Sequence, residues 1–351
     1  MLEAKEITLE RNVPAVKLEN DKIAITILPD KGADIYQWIH KGTGVDVLWK
    51  SPWGLRKPGA GIPSSFQSSV TWIEWYPGGW QVLFPSGGGP CDYKGVELSF
   101  HGEASSIFWD VADLGSSKQE AWVRLTTRLA RSPFTLTRDM VLEKDASSFL
   151  MRESIRNDGG EPMDYVWGHH PAYGAPFLSE DCRIDTNART LQADDTYDPP
   201  ACPWELGKSY DWPKVEREGA FTDLSAVPGK DDTRGSMGYL SDFDSVAWYG
   251  ITNTRLGIGA GLAWRTDDFP YAWFWQEMHA SPGFPWYKGV YVMAIEPSTT
   301  NVGQGLVAAM EKNGSHRTLQ PGETRVAEIR AVLYDSATGI SGIDMDGNVR
   351  S

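Results

Sequence analysis

The chain has 351 residues, 41% of them hydrophobic, enough for a sizeable core in two ordinary domains or in one large all-β unit. A formal net charge of −14 argues against nucleic acid and anionic membrane, which need basic patches, and leaves a neutral small molecule as an acceptable partner. Three scattered cysteines, Cys91, Cys182 and Cys202, make no disulfide framework. With no apolar leader after Met1 and no membrane-length run, a soluble, cytoplasmic protein is expected.

Period-two patterns dominate from the N-terminus onward. Ile23, Ile25 and Ile27 alternate with Lys22, Ala24 and Thr26, which predicts a half-buried strand ending at Leu28-Pro29-Asp30-Lys31-Gly32. The Gly/Pro/Ser-rich stretches Lys57–Ser65 and Pro77–Pro90 read as loops. Strands follow over Val123–Leu129, Phe134–Leu142 and Phe149–Asn157, the last closed by Asp158-Gly159-Gly160. Tyr165–His170, Val246–Thr252, Arg255–Trp264, Tyr271–Gln276, Val290–Ile295 and Arg325–Leu333 read the same way. The proline-bearing region Asp181–Gly238 reads as one long loop. No stretch has helical periodicity, and no internal repeat divides the chain. The expectation is a large antiparallel β-sandwich, one unit over 1–351, with long loops on one face.

Chemistry-bearing residues fall in four places. Trp167-Gly168-His169-His170-Pro171-Ala172-Tyr173 holds two of the six histidines. In an extended segment such neighbours face opposite ways, so one imidazole can enter a cleft while the other serves structure. Histidine exchanges protons near neutrality, which suits acid–base work. His101 precedes a glycine in Ser99-Phe100-His101-Gly102-Glu103, and Trp275-Gln276-Glu277 ends an aromatic strand. Glu296 ends the apolar run Val290–Ile295, a place where a carboxylate is readily perturbed. Each of these could instead serve structure, as a core histidine, a loop contact or an ion pair. Sixteen tryptophans could face sugar rings, though core packing should claim most of them. No H-E-x-x-H, P-loop, G-x-S-x-G or dinucleotide fingerprint is present, so neither metal nor cofactor is expected.

Taken in order along the chain, several segments resemble the aldose 1-epimerases of the galactose mutarotase-like superfamily. They are Leu28-Pro29-Asp30-Lys31-Gly32-Ala33-Asp34-Ile35, Leu48-Trp49-Lys50-Ser51-Pro52-Trp53, Gly79-Trp80-Gln81-Val82-Leu83-Phe84-Pro85, His101-Gly102-Glu103-Ala104, Glu296-Pro297 and Pro321-Gly322-Glu323. The resemblance implies a β-supersandwich with an open sugar cleft and a cofactor-independent interconversion of α and β anomers of a free aldose. It implies Glu296 as the base at the anomeric hydroxyl, His170 as the acid at the ring oxygen and His101 as a second polarising histidine. Trp80, His169 and Arg56 become candidate sugar contacts. The family's sugar-binding aspartate has no clear match, and Asp242, Asp244, Gln276 and Glu277 are its candidate substitutes. Ser105 stands where hexose-6-phosphate mutarotases carry arginine, which points to an unphosphorylated sugar, although Arg56 and Arg265 could meet an anionic one. The alternatives are a lyase or glycoside-processing enzyme on the same scaffold, and a non-catalytic sugar-binding protein. Oligomeric state and the sugar's identity are not legible.

Overall fold

The computed structural model describes residues 2–56 and 65–351. Among the described residues, twelve strands form one antiparallel sheet and eight form a second. The first sheet contains, as neighbours, Asp34–His40, Trp80–Leu83, Gly168–Gly174, Tyr291–Ser298, Tyr271–Met278 and Arg234–Ser241. The second contains Phe134–Glu143, Ser148–Asn157, Thr324–Asp335 and Ile258–Arg265. The two sheets share one apolar core, in which Ile25, Trp38, Trp80 and Val82 of the first meet Leu125, Met140, Phe149 and Met151 of the second. Trp38, Trp80 and Phe149 pack with ring centroids 5.6–6.2 Å apart, a geometry aromatic pairs favour.

The alternating stretches form strands because the period of two puts most apolar residues on the buried face, as in Phe134–Glu143, whereas Ile23–Leu28, expected to be half-buried, is buried on both faces. Observed bounds differ from the expected ones by up to three residues, as in Phe134–Glu143, Thr324–Asp335 and Glu120–Arg128. Other expectations need correction. Arg255 lies outside its strand, which begins at Ile258 after a turn with Gly257 at φ +69°. The expected Tyr165–His170 strand is two strands, Met163–Tyr165 and Gly168–Gly174. Pro77–Pro90 contains the central strand Trp80–Leu83, and Asp181–Gly238 contains several short strands, including Cys182–Thr186 and Thr190–Ala193. Proline and glycine punctuation hid runs only four or five residues long. Two short helices, Ser68–Trp75 and Leu306–Lys312, are too brief to produce a recognisable 3.6-residue period. The Lys57–Ser65 loop falls outside the described residues up to position 64. Among the described residues, no helix is long and apolar enough to cross a membrane.

A polar chain crosses the interior between the sheets. Arg138 donates from Nε to Glu153 Oε1 and from Nη1 to the Ala33 carbonyl at 2.6 Å. Glu153 Oε2 meets Trp167 Nε1 and His169 Nε2, each at 3.2 Å. Trp80 Nε1 donates to His169 Nδ1 at 3.3 Å, so the neutral ring carries its proton on Nε2, towards Glu153. Burial pushes the Glu153 pKa up, but Arg138 and His169 outweigh it and bring the carboxyl down to about 2. That depressed value adds stability above the ordinary pKa of 4.5, stability that is lost as pH falls from there towards 2. Acid titration of the folded protein should show a fall in unfolding midpoint across that window. Arg138→Met strands a buried carboxylate and should lower stability by about 3–5 kcal/mol, read by denaturant unfolding at neutral pH. An unchanged midpoint would mean that the chain is not what ties the sheets together.

Candidate active site

The outer face of the large sheet forms the floor of an open cleft of about 710 Å³. His170 and Glu296 meet on that floor because of strand register. The pairs Gly168–Ser298 and Ala172–Ala294 bracket them, and His170 Nδ1 lies 2.7 Å from Glu296 Oε2. The contact is close but out of line for a hydrogen bond, so neither atom has a directed partner among the described residues. The same row continues on both sides. Trp273 opposes Glu296, and Gln81 opposes His170. Gln81 Nε2 donates to Asp34 Oδ2 at 2.7 Å, and Lys31 Nζ reaches the same oxygen at 3.0 Å. Burial raises the Asp34 pKa against the pull of Lys31.

His101 reaches the cleft from a loop. It has φ +61°, and Gly102 follows at φ +76°, where a Cβ would sit 2.3 Å from the Phe84 carbonyl oxygen. Left-handed backbone at a bulky residue is costly and needs its surroundings to hold it. Here His101 N donates to Gly88 O at 2.9 Å, and Gly88 N donates back to His101 Nδ1 at 3.0 Å. With Nδ1 accepting, the ring proton sits on Nε2. Burial, with His170 adding to it, pushes the His101 pKa well down, so the ring stays neutral. His101 is therefore a fixed hydrogen-bond donor. Its ring lies 5.7 Å from His170 and 4.6 Å from Trp72, whose Nε1 is held by Ser105 Oγ at 3.2 Å.

The structure thus brings His101, His170 and Glu296 to one cleft. Several other expected contacts lie elsewhere. His169 and Trp80 are on the opposite face of the sheet, inside the polar chain between the sheets. Gln276 also faces inward, accepting from Ser236 Oγ at 3.1 Å. Glu277 is buried and accepts from Ala280 N, Ser281 N and Ser281 Oγ, which ties down the following loop. Asp242 and Asp244 engage Thr190 and Arg189 away from the cleft. Arg56 and Arg265 do not line it.

Most other lining residues were not singled out from sequence, among them Trp72, Tyr76, Trp273, Trp286 and Asp194. Alternation along Tyr271–Met278 could have located Trp273 and Trp275, because it turns them together to one face and Gln276 to the other. Trp72 and Tyr76 sit in and just after the unforeseen helix. The Tyr76 ring packs 5.7 Å from His170, and burial, with Glu296 and Asp34 nearby, holds its hydroxyl well above the ordinary pKa. Asp194 is saturated: Oδ1 accepts from Thr196 and Tyr197, and Oδ2 from Tyr239 and Gln304. Among the described lining residues, Glu296 and Asp194 are the acidic side chains, and none is Lys or Arg. No group of three metal-binding side chains occurs among the described residues.

The chain belongs to the family described as a domain of unknown function (DUF4432), whose model matches residues 10–332. No curated protein matches it. Among solved structures it is similar to a "putative aldose 1-epimerase" from Klebsiella pneumoniae subsp. pneumoniae MGH 78578, with 17% identity over 95% of this chain and 84% of that one and a TM-score of 0.71. It is also similar to a galactose mutarotase-like protein from Clostridium acetobutylicum, with 16% identity, 95% and 99% coverage and a TM-score of 0.67. A galactose mutarotase related enzyme from Lactobacillus acidophilus matches at 17% identity, 93% and 100% coverage and a TM-score of 0.62. At these identities the likeness establishes the fold, which is galactose mutarotase-like.

The His101 geometry makes a direct prediction. In ¹⁵N-detected NMR, His101 should show a single neutral tautomer protonated on Nε2 and should not titrate near the ordinary histidine value of 6.5. A positively charged His101 at pH 6 would overturn the assignment of this ring as a neutral donor.

Proposed function

We propose that the protein is a cofactor-independent mutarotase acting on an unphosphorylated aldose. The observation that carries this reading is the juxtaposition of the His170 imidazole and the Glu296 carboxylate on the floor of an aromatic-walled cleft. Ring opening needs a base at the C1 hydroxyl and an acid at the ring oxygen. Glu296 takes the hydroxyl proton as His170 delivers one to the ring oxygen, and the C1–O5 bond breaks to give the free aldehyde. Rotation about C1–C2 followed by reclosure, with the two roles reversed, yields the other anomer. The pair changes from imidazolium and carboxylate to imidazole and carboxylic acid, so net charge at the site is constant through the step. The His101 Nε2–H offers a donor that needs no reorganisation as charge shifts on the sugar oxygens, the condition under which such donors contribute most. Trp275, half-buried beside His170, offers apolar ring surface to a pyranose.

Two observations favour this reading over its rivals. Glycoside hydrolysis by the common route needs two working carboxylates, and Asp194, the other acidic group lining the cleft, has both oxygens engaged. A phosphorylated sugar would meet two acidic lining groups and no Lys or Arg among the described lining residues. Polarimetry on freshly dissolved sugars should show accelerated anomer equilibration. Glu296→Gln and His170→Asn should each slow it by about 10²–10⁴-fold, the usual contribution of a positioned acid or base. Hexose 6-phosphates should be turned over more slowly than the parent hexoses. Sugar binding without acceleration would instead mark a non-catalytic receptor, and new products from glycosides would mark a different enzyme.

A further inference from the structure

We propose that the cleft holds a second sugar unit beside the one at His170 and Glu296, on an aromatic platform centred on Trp286. The occupant is then the reducing end of a disaccharide or longer oligosaccharide. This rests on the ring-opening reading of the same site and specifies its substrate class.

Size is the first argument. At about 30 Å³ per liquid water molecule, even the twelve heavy atoms of a hexose packed as loosely as water would fill on the order of 360 Å³. The cleft offers about 710 Å³, which leaves room for a second ring. The second argument is the placement of aromatic rings. His170 lies 5.6 Å from Trp275, Trp275 lies 5.8 Å from Trp286, and Trp286 stacks on Trp53 at 6.1 Å and 25°. Trp275 and Trp286 both line the cleft and are half-buried, so indole surface leads away from the acid–base pair, with Trp53 backing it. Contiguous exposed apolar surface of this kind marks a binding site. The ring faces carry negative potential, which suits the C–H groups on the apolar side of a pyranose.

The platform is braced as well as exposed. Trp286 is held by Trp53 on one side and by the edge of Trp49 at 6.2 Å, and Glu277 ties the start of its loop to the sheet through Ala280 and Ser281. A ring fixed in advance loses little freedom on binding. Phe284, on the same loop, lines the cleft and is 52% exposed, extending the apolar surface outward. Gln67 and Ser281 line the cleft too and offer polar groups to sugar hydroxyls. The absence of Lys and Arg among the described lining residues fits a neutral glycan.

The test is calorimetric binding of glucose, galactose, maltose, cellobiose and lactose to the wild-type protein and to Trp286→Ala and Phe284→Ala, with polarimetry on the same samples. One stacked ring corresponds to about a tenfold gain in affinity, so the best disaccharide should bind about tenfold more tightly than its own reducing monosaccharide. That ratio should shrink towards one in Trp286→Ala and fall part-way in Phe284→Ala, whose exposed ring can be removed without opening the core. Equal affinity for mono- and disaccharides, or a ratio unmoved in both variants, overturns the proposal. So does an equal gain when an aryl group replaces the second sugar, because an apolar group would then be what the platform takes. A disaccharide preference without accelerated anomer exchange supports the platform and sinks the mutarotase reading. Anomer exchange without the preference does the reverse.

Discussion

The pairing of the Gly168–Gly174 strand with its two neighbours is the constraint on which the site depends. Trp80–Leu83 on one side and Tyr291–Ser298 on the other fix which residues of the strand face out. A slip of one residue would turn His170 inward and His169 outward, because the side-chain period of a strand is two. It would break the polar chain between the sheets and the His170–Glu296 contact in the same movement. The apolar residues on the inner face resist that slip, so the burial that stabilises the sandwich also sets the geometry of the cleft.

The three histidines near this strand show how environment divides one side chain into different roles. His169 is locked between an indole N–H and a buried carboxylate, with both nitrogens engaged. His101 has one nitrogen committed to a backbone amide and is kept neutral by burial. His170 touches Glu296 without a directed bond, which leaves its hydrogen-bonding capacity open to a ligand. Fully satisfied polar groups rigidify a structure, whereas an unsatisfied buried group calls for a partner or a function.

Much of this was legible in the chain. The period of two gave the sandwich, and alternation within His169-His170 was enough to expect one histidine in and one out. The convergence of His101 and Glu296 with His170 came through resemblance to a family, since residues separated by up to 195 positions leave no local trace of their meeting. Trp80, a candidate through the resemblance, and Gln276, a candidate substitute for the missing aspartate, were misplaced because their strand parity turns them inward. Glu277 has outward parity, yet its oxygens are taken by a turn that only the fold reveals. Tyr76 and Trp72 were missed because an eight-residue helix is too short to declare itself. Asp194 lies in a region whose prolines masked its strands.

The capping of the Ser281 turn by Glu277 separates two parts of the protein. His170 and Glu296 sit on strands whose register the core enforces, while Phe284 and Trp286 sit on a segment moored at its base to a buried carboxylate. Changes at the tip of that segment need not propagate into the strands, and changes in the core need not release it. Floor and rim can then vary independently: side chains at the tip of the segment can be exchanged while the register that places His170 beside Glu296 stays intact.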